Sequence, residues 1–156
     1  MQTTAEDHVV EVVSGLPLGK VDLVAVARLV LSEHASAASE VVVSVVDSDT
    51  AAELNASYRG RSGPTNVLSF PDRVLVEGGR TLLGDIVICH QVAVSEAREQ
   101  GKSPEAHLTH LLVHGVLHLL GYDHEDGAEA AQMESLETQL LGRLGVPDPY
   151  RVRNHP

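Results

Sequence analysis

Apolar positions along the chain follow two periods. Over 21–34, Leu23, Val24, Ala27, Val30 and Leu31 recur at the spacing of an amphipathic helix, with Asp22 early and Arg28 and His34 late, as a helix dipole favours. His34 reads as a surface residue there. Residues 40–46 are β-branched and nearly all apolar, which predicts a buried strand broken by Asp47-Ser48-Asp49. Thr50 and Glu53 have the spacing of a capping box and predict a helix over 51–58. Weak alternation over 8–13 predicts a short first strand.

Residues 59–64 are a loop by their Gly and Pro content, and 66–70 reads as a strand stopped by Pro71. Gly78-Gly79 then turns the chain into another strand over 81–89. Asp85 interrupts that strand. Buried alone, its charge would be very costly, so the plain reading is an edge-strand aspartate facing solvent or bonding a neighbouring loop. A helix over 92–100 ends at Gly101, and Ser103-Pro104-Glu105 opens the next, which runs to Leu120 and stops at Gly121. Asp126 and Glu129 cap a last helix to about Leu141, and 146–156 is a tail with three prolines.

The 156 residues fit one domain over 1–156, and with no Trp, one Phe and three Tyr its core must be aliphatic. Cys89 is the single cysteine and cannot form an internal disulfide. The polar, acidic start lacks the pattern of a signal peptide, so a cytoplasmic location is expected. No apolar run approaches the roughly 18 residues that span a bilayer. A net charge of −11 argues against sequence-indifferent wrapping of nucleic acid, since every phosphate contact needs a cation. Locally the balance reverses: Arg59, Arg61, Arg73 and Arg80 face only Asp72 and Glu77, enough for a small cationic site.

The most specific chemistry lies in residues 107–127. Five of the nine histidines fall between residues 107 and 124. His114 and His118, four apart on a helix, stand one above the other and can reach the same ion. Gly121 can take the left-handed conformation that turns the chain back and brings in His124 as a third ligand. Three neutral nitrogens suit one Zn²⁺ per chain and leave a position for water, as in a catalytic site. His110 shares the stripe, but rings stacked about 5.4 Å apart converge poorly on one ion. It reads as a packing or supporting residue, and His107 as solvent-facing.

The pattern is close to the zinc-protease motif His-Glu-x-x-His-x-x-Gly-x-x-His, with Gly115 where those enzymes carry their general base. A zinc metallopeptidase-like hydrolase therefore becomes the alternative. His114-Gly-Val-Leu-His118-Leu-Leu-Gly-Tyr-Asp-His124 resembles the signature of the YbeY family, rRNA maturation factors described as metal-dependent endoribonucleases. The resemblance extends to Leu54-Asn-x-x-Tyr-Arg59, to Pro-Thr65-Asn-Val-Leu-Ser-Phe70 and to Leu83-Gly-Asp-Ile-Val-Ile88, covering about residues 40–142. Asn66 departs from the Asp usual in the family.

The resemblance implies an α/β domain of the α+β type, in which helices flank a small mixed β-sheet and one histidine-bearing helix carries a zincin-like metal motif. It also implies zinc on His114, His118 and His124, with Arg59 as the other essential residue. Implied partners are RNA, small ribosomal subunit proteins and the GTPase Era, in 16S rRNA 3′-end maturation and ribosome quality control. The expected reaction is cleavage of single-stranded RNA by metal-activated water or by the RNA's own 2′-hydroxyl, which would explain the absence of a protein glutamate. Arg59 and His114 would be catalytic, and Arg59, Arg61 and Arg73 would bind the phosphates. A non-catalytic, zinc-stabilised ribosome-assembly factor is the other alternative.

Overall fold

The structure is a computed structural model that describes residues 7–16, 18–60, 63, 65–76, 78–123 and 126–150, with Arg59 by its backbone alone. In chain order the elements are β1 (Val9–Ser14), α1 (Leu23–His34), β2 (Ser39–Val46), α2 (Ser48–Arg59), β3 (Val67–Leu75), β4 (Thr81–Cys89), α3 (His90–Gln100), α4 (Pro104–Leu119) and α5 (Gly127–Arg143). The sheet runs β1-β2-β4-β3. β1, β2 and β4 are parallel, and β3 joins β4 antiparallel at the edge. A mixed sheet with helices packed on it is therefore what the chain builds, with α1 on β1, α2 and α3 on β4, and α4 on both β3 and β4.

Side-chain chemistry explains the starts of the helices. Asp22, Ser103 and Asp126 each accept a backbone N–H from three residues on. At α2 the cap is Asp47, which accepts from Thr50 N at 2.8 Å. The expected Thr50 capping box is thus corrected: the first aspartate after the strand caps the helix, which begins at Ser48.

The strand expected to stop at Pro71 continues to Leu75. Pro71 is tolerated because β3 is an edge strand, and the ladder shifts register between Pro71 and Val74. Asp85 is also corrected. It is exposed as expected, but on β4, a central strand between β2 and β3. Partial desolvation on this central strand raises its carboxyl above the usual range, with Asp72 adding a like charge.

The core is aliphatic. Val41, Val43, Val45, Ile86 and Ile88 of the sheet meet Ala27, Val30 and Leu31 of α1 and Leu108, Leu112, Val116 and Leu119 of α4. Helix α4 is the most enclosed of the helices, and its approach to the sheet is set by Gly115. A Cβ there would lie 3.0 Å from Ile86 Cγ2 and 3.4 Å from Ser69 Oγ. A mid-helix glycine costs about 1 kcal/mol against alanine. In return α4 lies close enough for Ser69 Oγ to donate to the Gly115 carbonyl at 3.3 Å.

Candidate metal centre and its flanking cleft

Helix α4 and strand β3 run side by side. Near the start of both, Asn66 and His107 meet on Glu96 of α3. Further along, Ser69 meets Gly115. At the far end Arg73 Nη2 donates to the Leu119 carbonyl at 3.2 Å. Arg73 is the one described non-glycine residue at positive φ, 59°, inside the register shift of β3. The bulge aims a side chain from an otherwise exposed strand at the end of the histidine helix. The guanidinium caps an unsatisfied helix carbonyl there while remaining exposed enough to meet an anion.

His114 and His118 sit on consecutive turns with ring centroids 5.6 Å apart. Their tautomers follow from their partners. His118 Nδ1 faces the Tyr122 carbonyl at 2.8 Å, and a carbonyl can only accept, so Nδ1 carries the proton. His114 Nδ1 lies 2.5 Å from Glu137 Oε1, and an ionised carboxylate likewise only accepts. Both rings therefore carry their lone pair on Nε2, the state in which imidazole binds a metal ion. The carboxylate and carbonyl behind them fix the ring orientation and raise ligand basicity. Gly121 makes the Tyr122 contact possible. At φ 104° it turns the chain back, with Tyr122 N–H donating to Leu117 O.

Glu137 anchors this arrangement from α5 and is fully buried. Burial alone would raise its carboxyl, but the close approach of His110 and the hydrogen bonds from His114 and Tyr150 outweigh that and bring it down to about 2. Tyr150 donates its hydroxyl to Glu137 Oε2. Burial and the neighbouring Glu137 push the Tyr150 phenol well above its ordinary value, so it stays a donor.

His107 and His110 hold their protons on the other nitrogen. His107 Nε2 donates to Glu96 Oε1 at 2.9 Å, and His110 Nε2 to Tyr150 Oη at 3.3 Å, because the Tyr150 proton is committed to Glu137. Their buried Nδ1 atoms have no hydrogen-bond partner among the described residues. The expectation that His107 faces solvent is corrected: it is 4 % exposed and packed against α3. His110 fits its supporting role, reaching within 3.6 Å of Glu137.

Of the expected site residues, the structure brings His114 and His118 together and sets Arg73 at the end of their helix. Arg59 is the last residue of α2, and the Tyr58 ring beside Phe70, 5.3 Å between centroids, sets that helix end against β3. The side chain of Arg59, together with Arg61 and His124, lies outside the described residues. The described donors fit zinc: two imidazoles one turn apart, each with Nδ1 held by an acceptor, which is the metal-binding tautomer.

Glu137, Glu96 and Tyr150 are the site residues that sequence reasoning missed. Glu137 had a signal. It shares the α5 stripe of Met133, Leu140 and Leu141, and a charge on an apolar helix face needs a partner. Beside His114 opens a cleft of about 390 Å³ whose lining includes Asn66, Glu96, Lys102, His107, His110 and Tyr150.

Comparison with known proteins places the chain in a family. The sequence profile of the family "Endoribonuclease YbeY" matches residues 20–145. A relative from Halorhodospira halophila, described as endoribonuclease YbeY, is 53% identical over 117 residues, covering 73% of this chain and 76% of its own. The solution structure of a Thermotoga maritima protein superposes with a TM-score of 0.58 at 27% identity, over 92% of this chain and 99% of that one.

Proposed function

Because the chain belongs to the YbeY endoribonuclease family, we propose that it is a zinc-dependent endoribonuclease that cuts single-stranded RNA in the 3′-end maturation of 16S rRNA. The observation that carries the metal-dependent reading is the pair of Nδ1–H bonds, from His114 to Glu137 and from His118 to the Tyr122 carbonyl. His114, His118 and His124 would hold the ion. Zinc bound there would supply Lewis acidity toward a phosphoryl oxygen and a lowered pKa for water.

The chain's own residues do the rest. Glu137 keeps His114 oriented and, being ionised, balances positive charge at the site. Arg59 clamps the scissile phosphate with its planar fork, and Arg61 and Arg73 draw the strand in against the protein's overall negative charge. Small ribosomal subunit proteins and the GTPase Era are the proposed partners, in the cytoplasm.

Gly115 counts against the peptidase alternative beyond the missing carboxylate. The position faces Ile86 and Ser69 of the sheet, so a glutamate there would collide with the core instead of serving as a base. The test is cleavage of single-stranded and precursor rRNA by zinc-loaded protein. Cleavage that disappears in Arg59→Glu and His114→Ala supports the reading, and equal cleavage by both variants means a contaminating nuclease. If folded His114→Ala still matures precursor particles, the protein acts as an assembly factor.

A further inference from the structure

The cleft beside His114 is not required for holding a metal, yet it is built from fixed polar groups. At its heart is Glu96, whose carboxylate accepts from Asn66 Nδ2 at 3.1 and 3.4 Å and from His107 Nε2 at 2.9 Å. Asn66 is itself locked by accepting Val67 N–H at 2.7 Å, and His107 is buried, so the carboxylate cannot swing away. Its side chain is still 31% exposed, which leaves oxygen lone pairs for a ligand. Lys102 lies on the lining, as does Tyr150, 41% exposed, its ring edge-to-face with His110 at 5.6 Å between centroids.

An anchored carboxylate, a nearby ammonium and an accessible aromatic ring are what an unstacked nucleobase needs: a hydrogen-bonding edge and a surface to stack on. The carboxylate only accepts, so the base must donate. Uracil offers a single N–H flanked by two carbonyls, and cytosine and adenine each offer an amino group beside a bare ring nitrogen that would face the carboxylate lone pairs. Guanine alone sets two donors side by side, N1–H and the N2 amino group, in the fork a carboxylate accepts bidentately, with O6 next to them for a cation. A cleft of about 390 Å³ has room for the base and its ribose. It shares His114 with the metal centre, so a base held there would belong to a nucleotide next to the reacting phosphate.

We infer that the cleft is a guanine-recognition subsite of the nuclease, in which Glu96 reads the N1–H and N2 edge, Lys102 faces O6, and Tyr150 stacks on the ring. The assignment rests on the endoribonuclease reading for its place in a reaction, but it is tested separately by binding. Guanosine 5′-monophosphate, inosine 5′-monophosphate and adenosine 5′-monophosphate are titrated into zinc-loaded protein and followed by amide chemical shifts. Guanosine should bind about tenfold tighter than inosine, which lacks only the N2 amino group, and tighter than adenosine, with shifts at residues 66, 96 and 107. Glu96→Gln should remove that preference.

Equal affinities, or a preference that survives Glu96→Gln in a folded variant, overturn the subsite. Inosine needs no variant, so a folding failure cannot obscure the result. Mapping of cleavage ends then separates the two ideas. RNA cut without guanosine bias by protein that binds all three nucleotides alike leaves the nuclease and removes the subsite. Guanosine preference in protein that cuts no RNA leaves the subsite and removes the nuclease.

Discussion

The two halves of α4 each carry a pair of histidines about one helical turn apart, at 107/110 and 114/118, and put them to opposite uses. In the first half, His107 and His110 hold their protons on Nε2 and direct them at Glu96 and Tyr150, leaving Nδ1 buried and without a partner among the described residues. In the second half, His114 and His118 hold theirs on Nδ1, against Glu137 and the Tyr122 carbonyl, and carry the lone pair on Nε2. A histidine stripe does not by itself define a metal site. What defines it is which nitrogen the second layer of structure occupies, and here that layer comes from α5 and the turn at Gly121.

The largest break in this comparison is expected from His118→Ala, which should lose zinc and cut RNA more than about a thousandfold more slowly, if electrostatic stabilisation at the phosphate is the main contribution to rate. Arg59→Glu should match that loss of cleavage, measured on the same single-stranded substrate, while zinc content and thermal unfolding stay unchanged. Glu137→Gln sharpens the contrast. It keeps the volume of a fully buried side chain but weakens the acceptor behind His114, so zinc affinity measured by chelator competition should fall about 10- to 100-fold. An unchanged affinity would mean that the Glu137 contact does not tune the ligand.

The smallest effect separates the halves by pH. Burial lowers the His107 pKa below 6.5, and the Glu96 hydrogen bond only partly offsets this. As pH falls below 6.5 the unfolded chain takes up this proton before the folded one does, so folding stability falls with it. It is fully present above that pH. Metal-free protein should therefore lose stability between neutral pH and pH 5 in denaturant titrations, and His107→Gln should lose less. Equal pH dependence would mean that His107 is not held neutral.

Much of the fold was legible because local chemistry decided it: the apolar stripe of α1, the β-branched run of β2, the Asp126 cap and the left-handed Gly121. The His114–His118 pair was legible for the same reason, since four residues on a helix is a local relation. Glu137, Tyr150 and Glu96 were not, because their meaning depends on which helix or tail segment packs beside α4, many residues away in the chain. Asp85 and Pro71 misled for a related reason. A strand pattern gives its alternation but not its place in the sheet, and only the order β1-β2-β4-β3 makes one strand central and the other an edge.

Zinc content is the most direct test of the division within α4. Elemental analysis of purified, folded protein should find about one zinc per chain in the wild type and in His107→Gln, and almost none in His114→Ala. Zinc retained by His114→Ala, or lost equally from His107→Gln, would contradict the assignment of the metal to the second half of the helix.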